Sequence, residues 1–329
     1  MGAKEVSKQI LVVGSLNVDF VFKTDRLPKS GESLHGAEFS IFPGGKGANQ
    51  AVAIARLGGE VQLIGRVGKD PFGTTLVDNV RSNAVGVTHI ITDAEKHTGT
   101  ALIVVDKQGN NSILVAQGAN YNWSPEDIRS VEPILKASDY LLLQLEISEL
   151  ALDAVVNMAR VHGVPVILDA GPARAIETSL LAGLEIVSPN ETEAEALTGI
   201  PVSDLPTARR AAERLLALGA KNVVVKLGER GCLVAGAAGE VHVPGLPVAA
   251  VDTTAAGDAF TGALVLFLSY GLDLSEAARQ ANYVGALTVT KMGAQPSLPS
   301  ALELERLLGA QGQTAPLPPD RPAPHKAAP

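Results

Sequence analysis

Val251-Asp252-Thr253-Thr254-Ala255-Ala256-Gly257-Asp258 runs directly into Ala259-Phe-Thr-Gly-Ala-Leu-Val-Leu-Phe-Leu268, and the rest of the chain is best read outward from this junction. Ala255, Ala256 and Gly257 are small, so their backbone N–H groups stay uncovered where an apolar helix is about to begin. A helix start carries unpaired donors and the positive end of its dipole, which suits an anion such as a phosphate. Asp258 puts an acid at the same point. A carboxylate beside an anion site is electrostatically unfavourable unless it has work there. Taking a proton from an alcohol that attacks a phosphoryl group is such work. The same letters also read as a plain helix cap, because Asp is a favoured N-cap. On the octapeptide alone both readings stand.

Composition narrows the function classes. The 329 residues are 46% apolar and 19% charged, which fits a soluble chain forming one large domain or one domain with an appendage. Net charge is −8 and no window gathers Lys and Arg on one face, which argues against nucleic acid as a partner. The apolar stretch Ala263–Leu268 is far short of the ~20 residues of a membrane span. No signal peptide is visible before the strand-like Ile10-Leu-Val-Val, and the single cysteine, Cys232, fits a reducing cytoplasm. The six histidines lie far apart, with no pair at metal-ligand spacing.

Apolar, β-branched runs recur at 10–13, 61–64, 140–145, 164–168, 184–187 and 223–227. Helical patterns at 47–57, 71–83, 149–162, 191–198 and 205–218 lie between most of them. Buried strands separated by amphipathic helices predict an α/β fold, a parallel central sheet with helices on both faces and ligands at the carboxyl edge. Residues 18–42 and 98–117 break this rhythm with period-two alternation. Ala101-Leu-Ile-Val-Val and Ser112-Ile-Leu-Val flank Lys107-Gln-Gly-Asn-Asn, a hairpin signal, so these pieces predict a small antiparallel lid or dimer surface. The main domain is expected over 1–310, with a disordered Pro/Ala-rich tail over 311–329.

Other polar clusters fall at strand ends. Pro43-Gly-Gly-Lys-Gly-Ala-Asn-Gln has glycines at 44, 45 and 47 for close backbone approach, with Lys46 and Asn49 as polar hooks. It is neither a Walker loop nor a dinucleotide fingerprint, since Gln50 stands where a third glycine belongs; a plain strand-to-helix turn explains it equally. Asn17 and Asp19 share one strand face and suit sugar hydroxyls, or form a solvated turn. Glu146 closes the run Leu141-Leu-Leu-Gln-Leu. In Ser188-Pro-Asn-Glu-Thr-Glu, Asn190 and Glu193 suit a hydrated Mg²⁺, or a capping box with no further role. Lys226-Leu-Gly-Glu-Arg-Gly offers Gly228 and Gly231 where a nucleotide could pass close to backbone.

The chain resembles the ribokinase group of sugar kinases from residue 10 to about 308. Gly14-Ser-Leu-Asn17-Val-Asp19, Gly44-Gly-Lys-Gly-Ala-Asn-Gln-Ala and Asp252-Thr-Thr-Ala-Ala-Gly-Asp258 look like that family's signatures in order, the last two being highly specific. The resemblance implies a parallel sheet flanked by helices and a β lid that often pairs two subunits as a homodimer. It implies that Asp258 is the base and that the amides of Ala255, Ala256 and Gly257 form an anion hole. Asn17, Asp19, Gly45, Lys46, Asn49 and Glu146 match sugar-binding positions. Asn190, Lys226, Gly228, Gly231, Gly257 and Asn282 match ATP-binding positions, with Glu193 near Mg²⁺ through water. Asp252, Thr254, Thr288, Lys291, Gly293 and Ser297 match a monovalent-cation site, K⁺ in this family, mostly through backbone carbonyls.

The expected activity is therefore ATP-dependent phosphorylation of a sugar's primary hydroxyl, with ribose the best match. Asp19 and Glu146 would repel the carboxylate of a keto-acid sugar. Aromatic residues, at 4%, are scarce for a nucleoside, although Phe22, Phe39 and Phe42 lie in the lid. Asp169-Ala-Gly-Pro stands where ribokinases usually carry Asn-Pro-Ala-Pro, and Gln117 precedes Gly118-Ala-Asn where Pro is common. These departures leave room for a different pentose or hexose, and 2-keto-3-deoxygluconate, fructose, deoxyribose or a nucleoside are the alternative substrates. A sugar-binding sensor on the same scaffold is the reading from another class, and the intact Asp258 argues against it. A dinucleotide-dependent enzyme is disfavoured by the missing fingerprint.

Overall fold

A computed structural model describes residues 8–35, 38–108 and 111–317. In chain order its strands and helices are β1 (Gln9–Val13), β2 (Asn17–Lys23), β3 (Glu38–Gly44), α1 (Lys46–Arg56), β4 (Glu60–Ile64), β5 (Arg66–Gly68), α2 (Pro71–Ser82), β6 (Ile91–Asp93), β7 (Gly99–Val105), β8 (Asn111–Ala116), α3 (Pro125–Lys136) and β9 (Tyr140–Leu143). There follow α4 (Glu149–His162), β10 (Val166–Asp169), β11 (Ile186–Ser188), α5 (Glu191–Thr198), α6 (Leu205–Ala217), β12 (Asn222–Lys226), β13 (Cys232–Gly236), β14 (Gly239–Val243), α7 (Ala256–Ser269), α8 (Leu274–Thr288) and α9 (Ala301–Ala310).

Eight strands form the central sheet in the order β14-β13-β12-β11-β10-β9-β1-β4. The six from β12 to β4 pair in parallel, as their continuous apolar runs predict. The sheet then gains an antiparallel hairpin at one edge, β13 against β12 and β14 against β13. Strand periodicity builds two cores. Ile10, Val12, Leu142, Ile167 and Val224 face α1, α7 and α8; Leu11, Val13, Leu141, Leu143, Leu168 and Val225 face the side of α3, α4 and α6. Helix α7 is apolar nearly all round and correspondingly buried from Asp258 to Phe267.

The strand order reverses direction at β1, which lies between β9 and β4. In such sheets the crevice beyond the carboxyl ends at the reversal is where ligands bind. Ser15, just after β1, donates a hydrogen bond to Glu146, just after β9, across this point.

The lid is a separate four-stranded sheet, β3-β2-β7-β8. The outer pairings are antiparallel, whereas β2 and β7 pair in parallel from Asn17↔Gly99 to Lys23↔Val105. Two chain segments distant in sequence leave the main domain side by side, which forces that central pairing to be parallel. Part of the hairpin turn expected at 107–111 and most of the expected tail lie outside the described residues. Of the segment beginning at 311, Ala315 and Leu317 pack against the core.

Candidate active site

The glycine cluster has a steric cause. Gly45 is the residue before α1 and has φ 89°, and a Cβ there would stand 2.6 Å from the backbone nitrogen of Asn17. A Cβ on Gly47 would lie 2.7 Å from the backbone of Gly14, and one on Gly44 would overlap the Asp19 carboxylate at 2.1 Å. The start of α1 is thus pressed onto the β1–β2 connection, which brings Asn17, Asp19 and Lys46 together with Glu146. Glu146 accepts from the Lys46 backbone N–H at 3.0 Å through the same oxygen that Ser15 uses.

The first turn of α7 lies across from α1. Ala255 precedes the helix in the left-handed region at φ 60°, and no side chain caps the helix. Asp258 is its third residue and does not cap it. Its carboxylate points to α1, accepting from Asn49 Nδ2 at 2.8 Å, Lys46 Nζ at 3.3 Å and Gln50 Nε2 at 3.4 Å. The amides at 255–257 therefore keep their positive helix end free of any side-chain acceptor. Asp258 is 5% exposed, and Asn49 Oδ1 is buried without a partner, an acceptor available to a ligand.

Beyond Lys46 and Asp258 opens a cleft of about 1070 Å³. Asn190, Glu193, Lys226, Gly228, Gly231, Gly257 and Asn282 all line it. Asn190 and Glu193 form the capping box of α5: Glu193 N–H donates to Asn190 Oδ1 at 2.8 Å and Asn190 N–H to Glu193 Oε2 at 2.7 Å. The capping-box reading of these letters is met through Oε2, and Oε1 of Glu193 lies against Gly171, where a Cβ would stand 2.5 Å from it. Among the described residues no group of three or more His, Cys, Asp or Glu forms a metal cluster.

Sequence reasoning passed over two parts of this site. Leu246, Pro247, Val248, Ala250, Ala286 and Val289 supply an apolar wall to the cleft. They are scattered over a loop and α8 with no periodic signal. Behind Asp258 lies a buried polar cluster built on Asp169. Its carboxylate accepts from Gln50 Nε2 at 2.9 Å, Thr261 Oγ1 at 2.9 Å and Lys226 Nζ at 3.1 Å. The sequence flagged Asp169 only as a departure from a family pattern; the paired ammonium, Lys226, lies 57 residues away in the chain.

The expected cation positions meet in part. Asp252 Oδ1 accepts from Thr254 N–H at 2.9 Å, and Oδ2 accepts from Gly293 N–H at 2.8 Å, so the 252–254 turn is tied to the 288–293 loop. The hydroxyls of Thr288 and Ser297 donate to the carbonyls of Val284 and Ala294, and the Lys291 ammonium pairs with Glu303. Those side-chain groups are thus engaged; the other oxygens of this set are chiefly backbone carbonyls, of which that of Thr288 accepts from the Lys291 N–H at 3.2 Å. An oxygen-only donor set with one carboxylate fits a hard monovalent ion.

The charges are strongly coupled. Burial opposes the charge of Lys46, yet Asp258, Asp169, Glu193 and Glu146 around it raise its pKa well above the ordinary value. Burial also disfavours the charge on Asp169, but Lys226 and Lys46 hold its carboxyl below the usual range. Glu146 is raised by burial. Asp19 is pushed up to about 7 by burial, helped by the negative charges of Glu146 and Asp258.

Known proteins share this fold and much of this sequence. Residues 7–301 match the profile of the pfkB family carbohydrate kinases. The chain is 40% identical to ribokinase of Mus musculus, over 92% of this chain and 95% of that protein. It is 38% identical to deoxyribokinase of Salmonella typhi, over 91% and 98%. The structure of Arabidopsis thaliana ribokinase complexed with ribose and ATP superposes with a TM-score of 0.84 at 33% identity, covering 92% of this chain and 99% of that one.

The raised Asp19 has a consequence for stability. An acid whose pKa is higher folded than unfolded destabilises the fold once pH exceeds its unfolded value, and fully so above the folded value. The difference between 3.8 and about 7 sets a ceiling of roughly 4 kcal/mol. Asp19→Asn is therefore expected to raise the melting temperature of the ligand-free protein at pH 8, with the gain shrinking as pH falls through 7 towards 4. Thermal unfolding of both proteins across that range checks this. A gain independent of pH would remove the charge on Asp19 as its cause.

Proposed function

We infer that this protein, which belongs to the pfkB family of carbohydrate kinases, is an ATP-dependent sugar kinase with ribose as its substrate. The observation that carries this reading is Asp258: a buried carboxylate in the first turn of an uncapped helix, held by Asn49 and Lys46 from the opposite helix at the floor of a nucleotide-sized cleft. A sensor of sugars would gain nothing from a carboxylate beside a phosphate cradle.

In the proposed reaction the primary hydroxyl of the sugar lies between Asp258 and the γ-phosphoryl group of ATP. Asp258 accepts the hydroxyl proton as the new O–P bond forms. The bond from the γ-phosphorus to its bridging oxygen breaks, and ADP leaves with that electron pair. Little covalent work falls to the protein, so its contribution is positioning and charge neutralisation. The amides of 255–257 cradle the transferring group, and the Lys46 ammonium lies beside the base. Asn17, Asp19, Gly45, Lys46, Asn49 and Glu146 hold the sugar. Asn190, Lys226, Gly228, Gly231, Gly257 and Asn282 hold the nucleotide. Glu193 would hold a Mg²⁺ bound with ATP through a water, and that ion would neutralise phosphate charge there.

Asp252, with the carbonyls of Thr254, Thr288, Lys291 and Gly293 and with Ser297, would hold K⁺. Bound there, K⁺ adds fixed positive charge next to the anion hole. No helix among the described residues is long and apolar enough to cross a membrane, and a lone buried cysteine with ATP chemistry suits the cytoplasm. The lid leaves Phe39, Ile41, Ile113, Leu114 and Val115 at least half exposed, an apolar surface that a second copy's lid would cover.

ATP consumption measured with ribose, 2-deoxyribose, fructose, 2-keto-3-deoxygluconate and nucleosides is expected to give the highest kcat/KM for ribose, and to fall when Na⁺ replaces K⁺. No consumption with any sugar, together with sugar-induced thermal stabilisation, would support a sensor instead. Asp258→Asn is expected to keep sugar binding while losing about 10²–10⁴-fold or more in kcat; ordinary turnover in that variant would take the base role from Asp258. Light scattering is expected to give twice the chain mass for the native protein and a single chain for Leu114→Lys. A native monomer rules out pairing through the lid.

A further inference from the structure

Asn120 belongs to the short 3₁₀ turn Gly118–Tyr121 that follows the last lid strand, and nothing in the reaction above uses it. Its side chain lies at the root of the lid, where β2 and β7 begin and β8 ends. It is 2% exposed and makes three hydrogen bonds. Oδ1 accepts from the Leu16 N–H at 3.0 Å. Nδ2 donates to the Leu16 carbonyl at 3.1 Å and to Asn17 Oδ1 at 2.8 Å.

A carboxamide can turn over without changing its shape, so its polarity must be set by its partners. The partner here is backbone, which has no such freedom: the Leu16 N–H requires an acceptor and the Leu16 carbonyl a donor. Asn120 can satisfy both in one orientation only. That orientation commits both of its N–H bonds, one to Leu16 and one to Asn17. Asn17 must then answer with its oxygen, and its own NH₂ is turned away from Asn120. Gly99, which pairs with Asn17 across the lid, leaves the room for this contact. A Cβ on Gly99 would stand 2.2 Å from both Asn120 Nδ2 and Asn17 Oδ1. The turn itself is anchored by Trp123 Nε1 donating to the Asn120 carbonyl at 2.8 Å.

Two neighbours on the sugar side are acceptors. Asp19 lies two residues along the same strand face, and Asn49 Oδ1 is buried and unpartnered. An Asn17 turned the other way would add one more acceptor to a site already rich in them. We propose that Asn120 is a positioning residue of the sugar site, locking the Asn17 carboxamide so that position 17 presents an N–H donor to a sugar hydroxyl oxygen beside the acceptor Asp19. Backbone polarity at Leu16 is thereby relayed through two side chains to the substrate. This inference rests on the sugar-kinase reading above.

Steady-state kinetics of Asn17→Ala, Asn120→Ala and the double variant test it, with thermal unfolding recorded alongside. Asn120→Ala is expected to raise KM for ribose up to about ten-fold, the worth of one neutral hydrogen bond, with kcat and KM for ATP within about two-fold. In the Asn17→Ala background the same substitution should add nothing, because no amide remains to be oriented. Asn120→Ser leaves a smaller void and serves the same cycle if the alanine variant does not fold. An unchanged KM for ribose, or a factor that multiplies undiminished in the Asn17→Ala background, overturns the positioning role. Wild-type protein that phosphorylates no sugar would instead overturn the kinase reading.

Discussion

Helices α1 and α7 cross with almost nothing between them, and the whole site depends on that contact. A Cβ on Gly262 would lie 2.9 Å from the Gln50 carbonyl and 3.3 Å from the Ala53 side chain. Only glycine on one helix and alanine on the other allow this approach. At that separation Asn49 reaches Asp258 directly, and Gln50 reaches past it to Asp169. The start of α1 and the Asp258 carboxylate are therefore parts of one packed unit that holds both in fixed register.

The same unit manages an excess of negative charge. Asp19, Glu146, Asp169, Glu193 and Asp258 crowd around two ammonium groups, Lys46 and Lys226. Lys226 takes Asp169 at 3.1 Å with Glu193 at 3.9 Å, and Lys46 takes Asp258 at 3.3 Å. Buried carboxylates in this number cannot all be matched by cations: burial raises the pKa values of Asp19, Glu146 and Glu193, whereas Asp169, closest to an ammonium, is held below the usual range. Asp258 is held mainly by amide donors and one ammonium at the long end of hydrogen-bond distance.

Much of the fold was legible because strand and helix periods are local. The runs at 10–13, 61–64 and 223–227 became β1, β4 and β12 within a residue, and the patterns at 149–162 and 191–198 became α4 and α5. The reading missed α3, interrupted by Pro133, and the antiparallel hairpin β13–β14, whose strands carry no stronger signal than a loop would. It also took the lid for a wholly antiparallel flap. The parallel pairing of β2 with β7 joins residues more than eighty apart, and no local pattern encodes it.

The sequence by itself determined which local backbones form and which of them need bare positions: glycine at 45 and 47, the small run 255–257, the capping box at 190–193. These are properties of a few neighbouring residues, governed by sterics and helix-end hydrogen bonding. It also left Asp258 with two readings, cap or base. Only the tertiary structure removed the cap reading, by turning that carboxylate towards Asn49 and Lys46 rather than back onto its own helix. The pairing of Asp169 with Lys226 and the line from Leu16 through Asn120 to Asn17 were decided there too. Side-chain polarity and charge depend on partners brought in from elsewhere in the chain, and those partners meet only when the two faces of the sheet are packed.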